Sequence, residues 1–165
     1  MACSFKTMIT LFVAVLFCFV GVITAQSSDL CPPEKLTFSE WEDWQQITRK
    51  PVKSAAHGND WVRIFVNKLA RNIYLKAGSL YPECAAIVKP IYAGPEGLHV
   101  KKLTIMVKMA AGFDENNGNW WYASSDPSGT RVVPKVRRSE CIACHEQAVD
   151  TDYLFSEDVL EALKE

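Results

Sequence analysis

The pentapeptide Cys141-Ile142-Ala143-Cys144-His145 constrains this 165-residue chain more than any other feature, and only 20 residues follow it. Two thiols two residues apart, with a histidine beside the second, form the attachment sequence of a c-type haem. Each thiol can add across one vinyl group of the porphyrin, and the histidine then swings beneath the iron as its axial ligand. Whatever fold the chain adopts must therefore close around a large flat group anchored near its C-terminus. A dithiol redox pair fits less well, because that motif opens a helix after an early strand of a βαβ unit, and no such alternation precedes Cys141. A zinc site needs further Cys or His ligands; beyond the first 25 residues only Cys31, Cys84, His57 and His99 remain for it. The expectation is one covalent haem c per chain, bound through Cys141, Cys144 and His145, with His145 on the iron.

The place of the motif narrows the kind of cytochrome. Small helical electron carriers carry it early and take a sixth iron ligand from a methionine far downstream, whereas no Met or His follows His145 here. The upstream candidates are His57, His99, Met106 and Met109, all residue types that more often pack or face solvent. An open sixth position is the expectation. It implies a haem that binds or transforms a small molecule rather than one that only passes electrons.

The apolar share of 48% is unevenly spread, since 19 of the first 25 residues are apolar and no charge occurs from Thr7 to Ser28. Lys6, the apolar run and the small Ala25 before Gln26-Ser27-Ser28-Asp29 have the layout of a secretory signal peptide over 1–25. An uncleaved membrane anchor is the alternative. Export to the periplasm, where haem is attached after translocation, agrees with the motif. The remaining chain, 26–165, carries 17 basic and 19 acidic side chains, so nucleic acid is a poor partner. Its four cysteines include the haem pair, and an oxidising compartment favours a disulfide between the other two, Cys31 and Cys84.

Periodicity gives one α+β domain, an antiparallel β-sheet with peripheral helices and the haem near the C-terminus. Thr37-Phe38-Ser39-Glu40 has capping-box spacing, and Phe38, Trp41, Trp44 and Ile47 follow at helical intervals, so a short helix is expected before Pro51. Residues 61–67 alternate as a strand, with Val62, Ile64 and Val66 on one face and Trp61, Arg63 and Phe65 on the other. Asn67 is placed to cap a helix over 68–77 whose stripe is Leu69, Ile73, Tyr74 and Ala77, ended by Gly78. Strands are expected over 85–88, 103–109 and 120–124. Pro90 puts the first of these at a sheet edge or strand end. Turns are expected over 113–118 and 126–129, and a last helix over 156–163.

The run Cys141-Ile142-Ala143-Cys144-His145-Glu146-Gln147-Ala148, followed by Thr151-Asp152-Tyr153-Leu154-Phe155, resembles the C-terminal signature of the cytochrome P-460 family. Trp61-Val62-Arg63-Ile64-Phe65-Val66-Asn67, Tyr81-Pro82-Glu83 leading to Val88-Lys89, Met106-Val107-Lys108 and Gly118-Asn119-Trp120-Trp121-Tyr122 extend the resemblance over most of the chain. It implies an antiparallel sheet with helices, a homodimer, and a c-type haem with a proximal histidine and a vacant distal side. In catalytic members a lysine is also bonded to a haem meso carbon, and hydroxylamine is oxidised to nitrogen oxides. Lys89 matches that lysine, with Lys108 as the fallback, and Arg63 matches a family arginine near the haem. The catalytic and cofactor-binding set is then Lys89 and Arg63 with Cys141, Cys144 and His145. Catalytic members also carry a distal carboxylate shortly before the Val-Lys pair, where this chain has Leu103-Thr104-Ile105-Met106-Val107-Lys108 and no acid.

Three functions compete: a hydroxylamine-oxidising cytochrome served by a redox partner protein, a non-catalytic cytochrome that binds nitric oxide or carbon monoxide, and a plain electron carrier. A bonded lysine with a distal acid marks the first, an aromatic-lined apolar pocket the second, and a sixth protein ligand the third. Phe65, Phe113, Trp120 and Trp121 are the candidate pocket aromatics.

Overall fold

Residues 100–108 alternate around Leu103, Ile105 and Val107 and form the longest strand of the molecule, in a computed structural model that describes residues 31, 35–74, 76, 78–135, 140–156 and 159. Eight strands make one antiparallel sheet: β1 (Gln45–Gln46), β2 (Val52–Ser54), β3 (Asp60–Val62), β4 (Phe65–Val66), β5 (Ala86–Tyr92), β6 (Val100–Lys108), β7 (Trp120–Ser125) and β8 (Val132–Pro134). The order along the sheet is β1-β4-β5-β6-β7-β8, with β3 also on β5 and β2 on β3. Among the described residues, two short helices, α1 (Lys68–Tyr74) and α2 (Glu140–His145), accompany the sheet in an α+β architecture. The expected signal segment and nearly all of the expected last helix lie outside the described residues. Among the described residues no helix is long and apolar enough to cross a membrane.

Strand alternation divides the sheet into two faces. On one, Phe65, Val88, Ile105, Val107 and Trp121 pack with Phe38 and Trp41. On the other, Val66, Ile87, Met106, Trp120 and Tyr122 pack with Tyr74, Ile142 and Leu154, so this face carries both helices. Register aligns the second face in rows across three strands: Ile87 with Met106 and Tyr122, then Lys89 with Thr104 and Ser124.

Three expectations need correction. The segment expected as a helix before Pro51 makes only a 3-10 turn at Trp41–Asp43 and then joins the sheet as β1. Its aromatic spacing serves the sheet instead: Trp41 meets Phe65 edge-on at 5.0 Å, and its indole donates to the Pro127 carbonyl at 3.1 Å. The strand expected over 61–67 is split at Arg63 and Ile64, because the Ile64 N–H is taken by Thr48 Oγ1 (3.0 Å) and the Ile64 carbonyl by the Ile47 N–H (2.8 Å). Pro90 lies inside β5, an interior strand. It faces the break between β3 and β4, where β5 has no ladder partner for the missing N–H.

The Asn67 cap is present, its Oδ1 accepting the Ala70 N–H at 3.0 Å. Leu69, however, faces solvent, and Ala70 takes its place on the buried stripe with Tyr74. The turn at Asp126 closes through the Gly129 N–H at 3.0 Å.

Cys31 and Cys84 form the expected disulfide, with Cα atoms 5.8 Å apart and a sequence separation of 53. The bridge ties the N-terminal segment to the turn that enters β5. By the chain-entropy model a loop of this length contributes about 4 kcal/mol. Cys31→Ser with Cys84→Ser is therefore expected to lower the unfolding free energy by about that amount in denaturant titration. An unchanged midpoint would show that the bridge does not restrain the unfolded chain.

Candidate functional site

The face that carries the helices opens into a cavity of about 2010 Å³ between β5, β6 and β7 on one side and α2 on the other. Cys141, Cys144 and His145 line it from α2, and Lys89, Thr104, Met106, Tyr122 and Ser124 line it from the sheet. Positions 141 and 144, three apart on a helix, share one face, and both thiols are free and half-buried. The motif that is local in sequence thus meets Lys89, which lies more than 50 residues earlier, across one cavity.

His145 is 7% exposed, its ring flanked by Tyr122 at 5.4 Å and Phe155 at 5.5 Å. Its Nδ1 stands 2.6 Å from the Tyr153 carbonyl, which can only accept, so Nδ1 carries the proton. That leaves the Nε2 lone pair free, the arrangement common among metal-bound histidines. Burial, and then the charge of Lys89, push His145 down to about 4 against the opposing Tyr153 hydrogen bond, so the ring is neutral at neutral pH.

Lys89 comes from the middle of β5, where Val88 and Pro90 on either side are fully buried. Burial lowers its amine from 10.5 to about 8, and the Cys144 sulfur opposes the shift. Thr104, opposite it in register, donates its hydroxyl to the Lys89 carbonyl at 3.2 Å.

The remaining expected residues divide. Lys108 does not line the cavity; its ammonium bonds both oxygens of buried Asp152 at 2.6 and 2.8 Å and lies 5.1 Å from the centre of the Trp120 ring. Arg63 also stands outside the lining, with its guanidinium 5.3 Å over the Tyr92 ring. Of the four possible sixth ligands, His57 and Met106 reach the cavity, while His99 is exposed and Met109 is buried on the opposite face. None of the four nominated aromatics lines it. Phe65 and Trp121 pack on the far face, Trp120 is in the core, and Phe113 is 39% exposed. Tyr122 and Phe155 are the aromatics present.

Sequence reasoning missed three contributors. Ser54 Oγ lies 2.7 Å from His57 Nδ1 on the cavity wall. The Tyr122 hydroxyl is buried with no hydrogen-bond partner. Asp152 holds Lys108 and Trp120 behind the cavity wall.

These features fit a c-type haem. A buried hydroxyl without a partner costs roughly 1–3 kcal/mol, which a bound polar group would relieve. Among the described residues, eight Lys or Arg side chains line the cavity against two carboxylates, Asp60 and Glu140, which suits a group bearing two propionates. Asp60 is already bonded to Lys101. Two free thiols and one neutral imidazole stand on the same wall, the groups that such attachment and axial ligation would need.

Among curated proteins, no relative matches the chain. The model of the family described as Cytochrome P460 matches residues 38–156, which spans every described strand, α1, α2 and every cavity residue named above. The chain belongs to the cytochrome P460 family, a family of c-type haem cytochromes.

Proposed function

We propose that the chain is an exported mono-haem cytochrome that oxidises hydroxylamine to nitrogen oxides, with haem c held covalently by Cys141 and Cys144 and ligated by His145. The observation that carries this reading is the half-buried Lys89, whose amine is lowered by burial and which shares one cavity with Cys144 and His145. The haem, when bound, supplies an iron that takes a small nitrogen ligand and accepts its electrons. His145 offers Nε2 from one wall, oriented by the Tyr153 carbonyl. Ile87, Met106 and Tyr122 line the cavity from the sheet and give it an apolar wall. Lys89, on an interior strand, holds its amine without a mobile loop. A bond from this amine to a meso carbon would release two protons and pass two electrons to an oxidant such as a peroxide. Electrons from substrate then leave to a redox partner protein, and a homodimer is the assembly proposed.

One observation favours a second reading, a non-catalytic cytochrome that binds nitric oxide. Thr104 stands on β6 where a distal acid is wanted, and among the described residues the carboxylates that line the cavity are on β3 and at the start of α2. His57 would make a third reading, a six-coordinate electron carrier.

An optical spectrum and intact mass of the exported protein test these readings together. The expected result is a mass increased by one haem, loss of the 1–25 segment, and absorption shifted away from an ordinary c-type spectrum. Apoprotein mass would end the haem c reading. An ordinary five-coordinate spectrum without hydroxylamine turnover would replace the enzyme by the gas binder, and a six-coordinate low-spin spectrum would point to His57.

A further inference from the structure

We infer that Asp152 is a positioning residue for the proximal histidine: its carboxylate, bonded by Lys108, Trp120 and the Tyr81 amide, locks the left-handed turn whose Tyr153 carbonyl accepts the hydrogen bond from His145 Nδ1–H. This inference rests on the reading of His145 as the iron ligand.

The turn has a conformation that needs holding. Asp152 (φ 53) and Tyr153 (φ 65) are consecutive non-glycine residues in the left-handed region. Asp tolerates that region better than most residues and Tyr does not, so surrounding contacts must over-determine the pair. Those contacts come from four separate places in the chain. Lys108, at the end of β6, bonds Oδ1 and Oδ2 at 2.6 and 2.8 Å. Trp120, at the start of β7, sends its indole N–H to the Asp152 carbonyl at 2.8 Å and toward Oδ1 at 3.3 Å. The Tyr81 N–H reaches Oδ2 at 2.8 Å. Tyr153 in turn donates its hydroxyl to the Asn116 carbonyl at 3.1 Å, and its ring fills the space where a Cβ on Gly118 would lie.

Asp152 is 5% exposed and Lys108 nearly as enclosed, so this is a buried ion pair joined to a network. Such a pair is a poor source of net stability, because desolvating both charges offsets most of their attraction. What the pair contributes is the geometry of the turn. The carbonyl of the next residue is aimed at Nδ1, which fixes the imidazole's tilt and makes Nε2 the more basic nitrogen. Asp152 itself touches neither His145 nor the cavity.

The test separates positioning from simple charge, because Asp152→Asn and Lys108→Met remove charges of opposite sign from one network. The full exported chain is purified, and mass first reports whether haem is attached. With haem, the ferrous iron–histidine stretch by resonance Raman and the one-electron midpoint potential are measured. Positioning predicts a lower stretching frequency in both variants. In Asp152→Asn it also predicts at least a tenfold shift of the ferric–ferrous ratio toward ferrous, which is 59 mV for one electron. An unchanged stretch with potentials moving in opposite directions would show a charge effect only and overturn the inference. If the purified chain lacks haem, the reading of the site fails. The inference is then still decided by proton exchange at His145 Nδ1 in NMR, expected at least tenfold faster in Asp152→Asn, with equal rates overturning it. Should Asp152→Asn not accumulate, Lys108→Met and the charge-neutral pair Asp152→Asn with Lys108→Met give the same decision.

Discussion

Replacing both Cys141 and Cys144 by alanine is expected to leave the exported chain with no covalently held haem, the largest single effect open to a two-residue change here. Thioether formation adds S–H across a vinyl double bond, so it needs a thiol at each site but no oxidant and no leaving group. Both thiols are free, and α2 presents them to the cavity from one helix face, with Ile142 buried between them as the anchor of that helix. Each single variant should retain one thioether at reduced yield. His145→Ala should keep thioether-bound haem but lose the normal ferrous spectrum, because the axial nitrogen is gone. Intact mass and pyridine haemochrome spectra read all four proteins. Haem that survives denaturation in the double variant would mean another residue bonds it.

How much of this was legible in the sequence depended on whether the signal was local. The Asn67 cap and the alternation of residues 103–109 each act within a few residues of themselves, and the structure has both, the strand running over Val100–Lys108. Phe38, Trp41 and Trp44 have helical spacing, yet that spacing also places aromatics over a sheet face, and contact with Phe65 and Pro127 overrode the helix. Pro90 looked like an edge residue because a missing N–H is usually tolerated only there. The break between β3 and β4 made an interior exception that no local pattern announces.

The site shows the same division. The alternation that placed Val62 and Ile64 on one face already put Arg63 on the other, and it is Val62 and Ile64 that line the cavity. Lys108 resembled Lys89 in sequence, each on a strand beside apolar neighbours. They differ by a partner 44 residues away, since Asp152 captures one and not the other. Asp152 carried no spacing signal of its own, because its contacts come from β6, β7 and the turn at Tyr81.

Lys89→Leu is expected to keep haem through Cys141 and Cys144 while abolishing hydroxylamine oxidation and returning a shifted absorption spectrum to that of an ordinary c-type haem. The argument begins with protonation, since only a neutral amine can bond a meso carbon. With the amine lowered from 10.5 to about 8, the neutral fraction at pH 7 rises on the order of 300-fold over that of a free lysine. The Cys144 sulfur works against this shift, and burial outweighs it. Bond formation in freshly loaded protein should therefore accelerate as pH rises toward about 8 and level off above it. The sign for folding is the same: burial penalises the charged amine, so the cost to stability is present below about 8 and is relieved as pH rises from there toward 10.5. Leucine fills similar volume without a charge to bury, so the variant should fold at least as well as wild type, and lost turnover can then be assigned to the amine. If wild type already shows the ordinary spectrum at every pH and does not oxidise hydroxylamine, Lys89 is only a buried lysine in the wall. The Thr104 face without an acid then belongs to a nitric oxide binder.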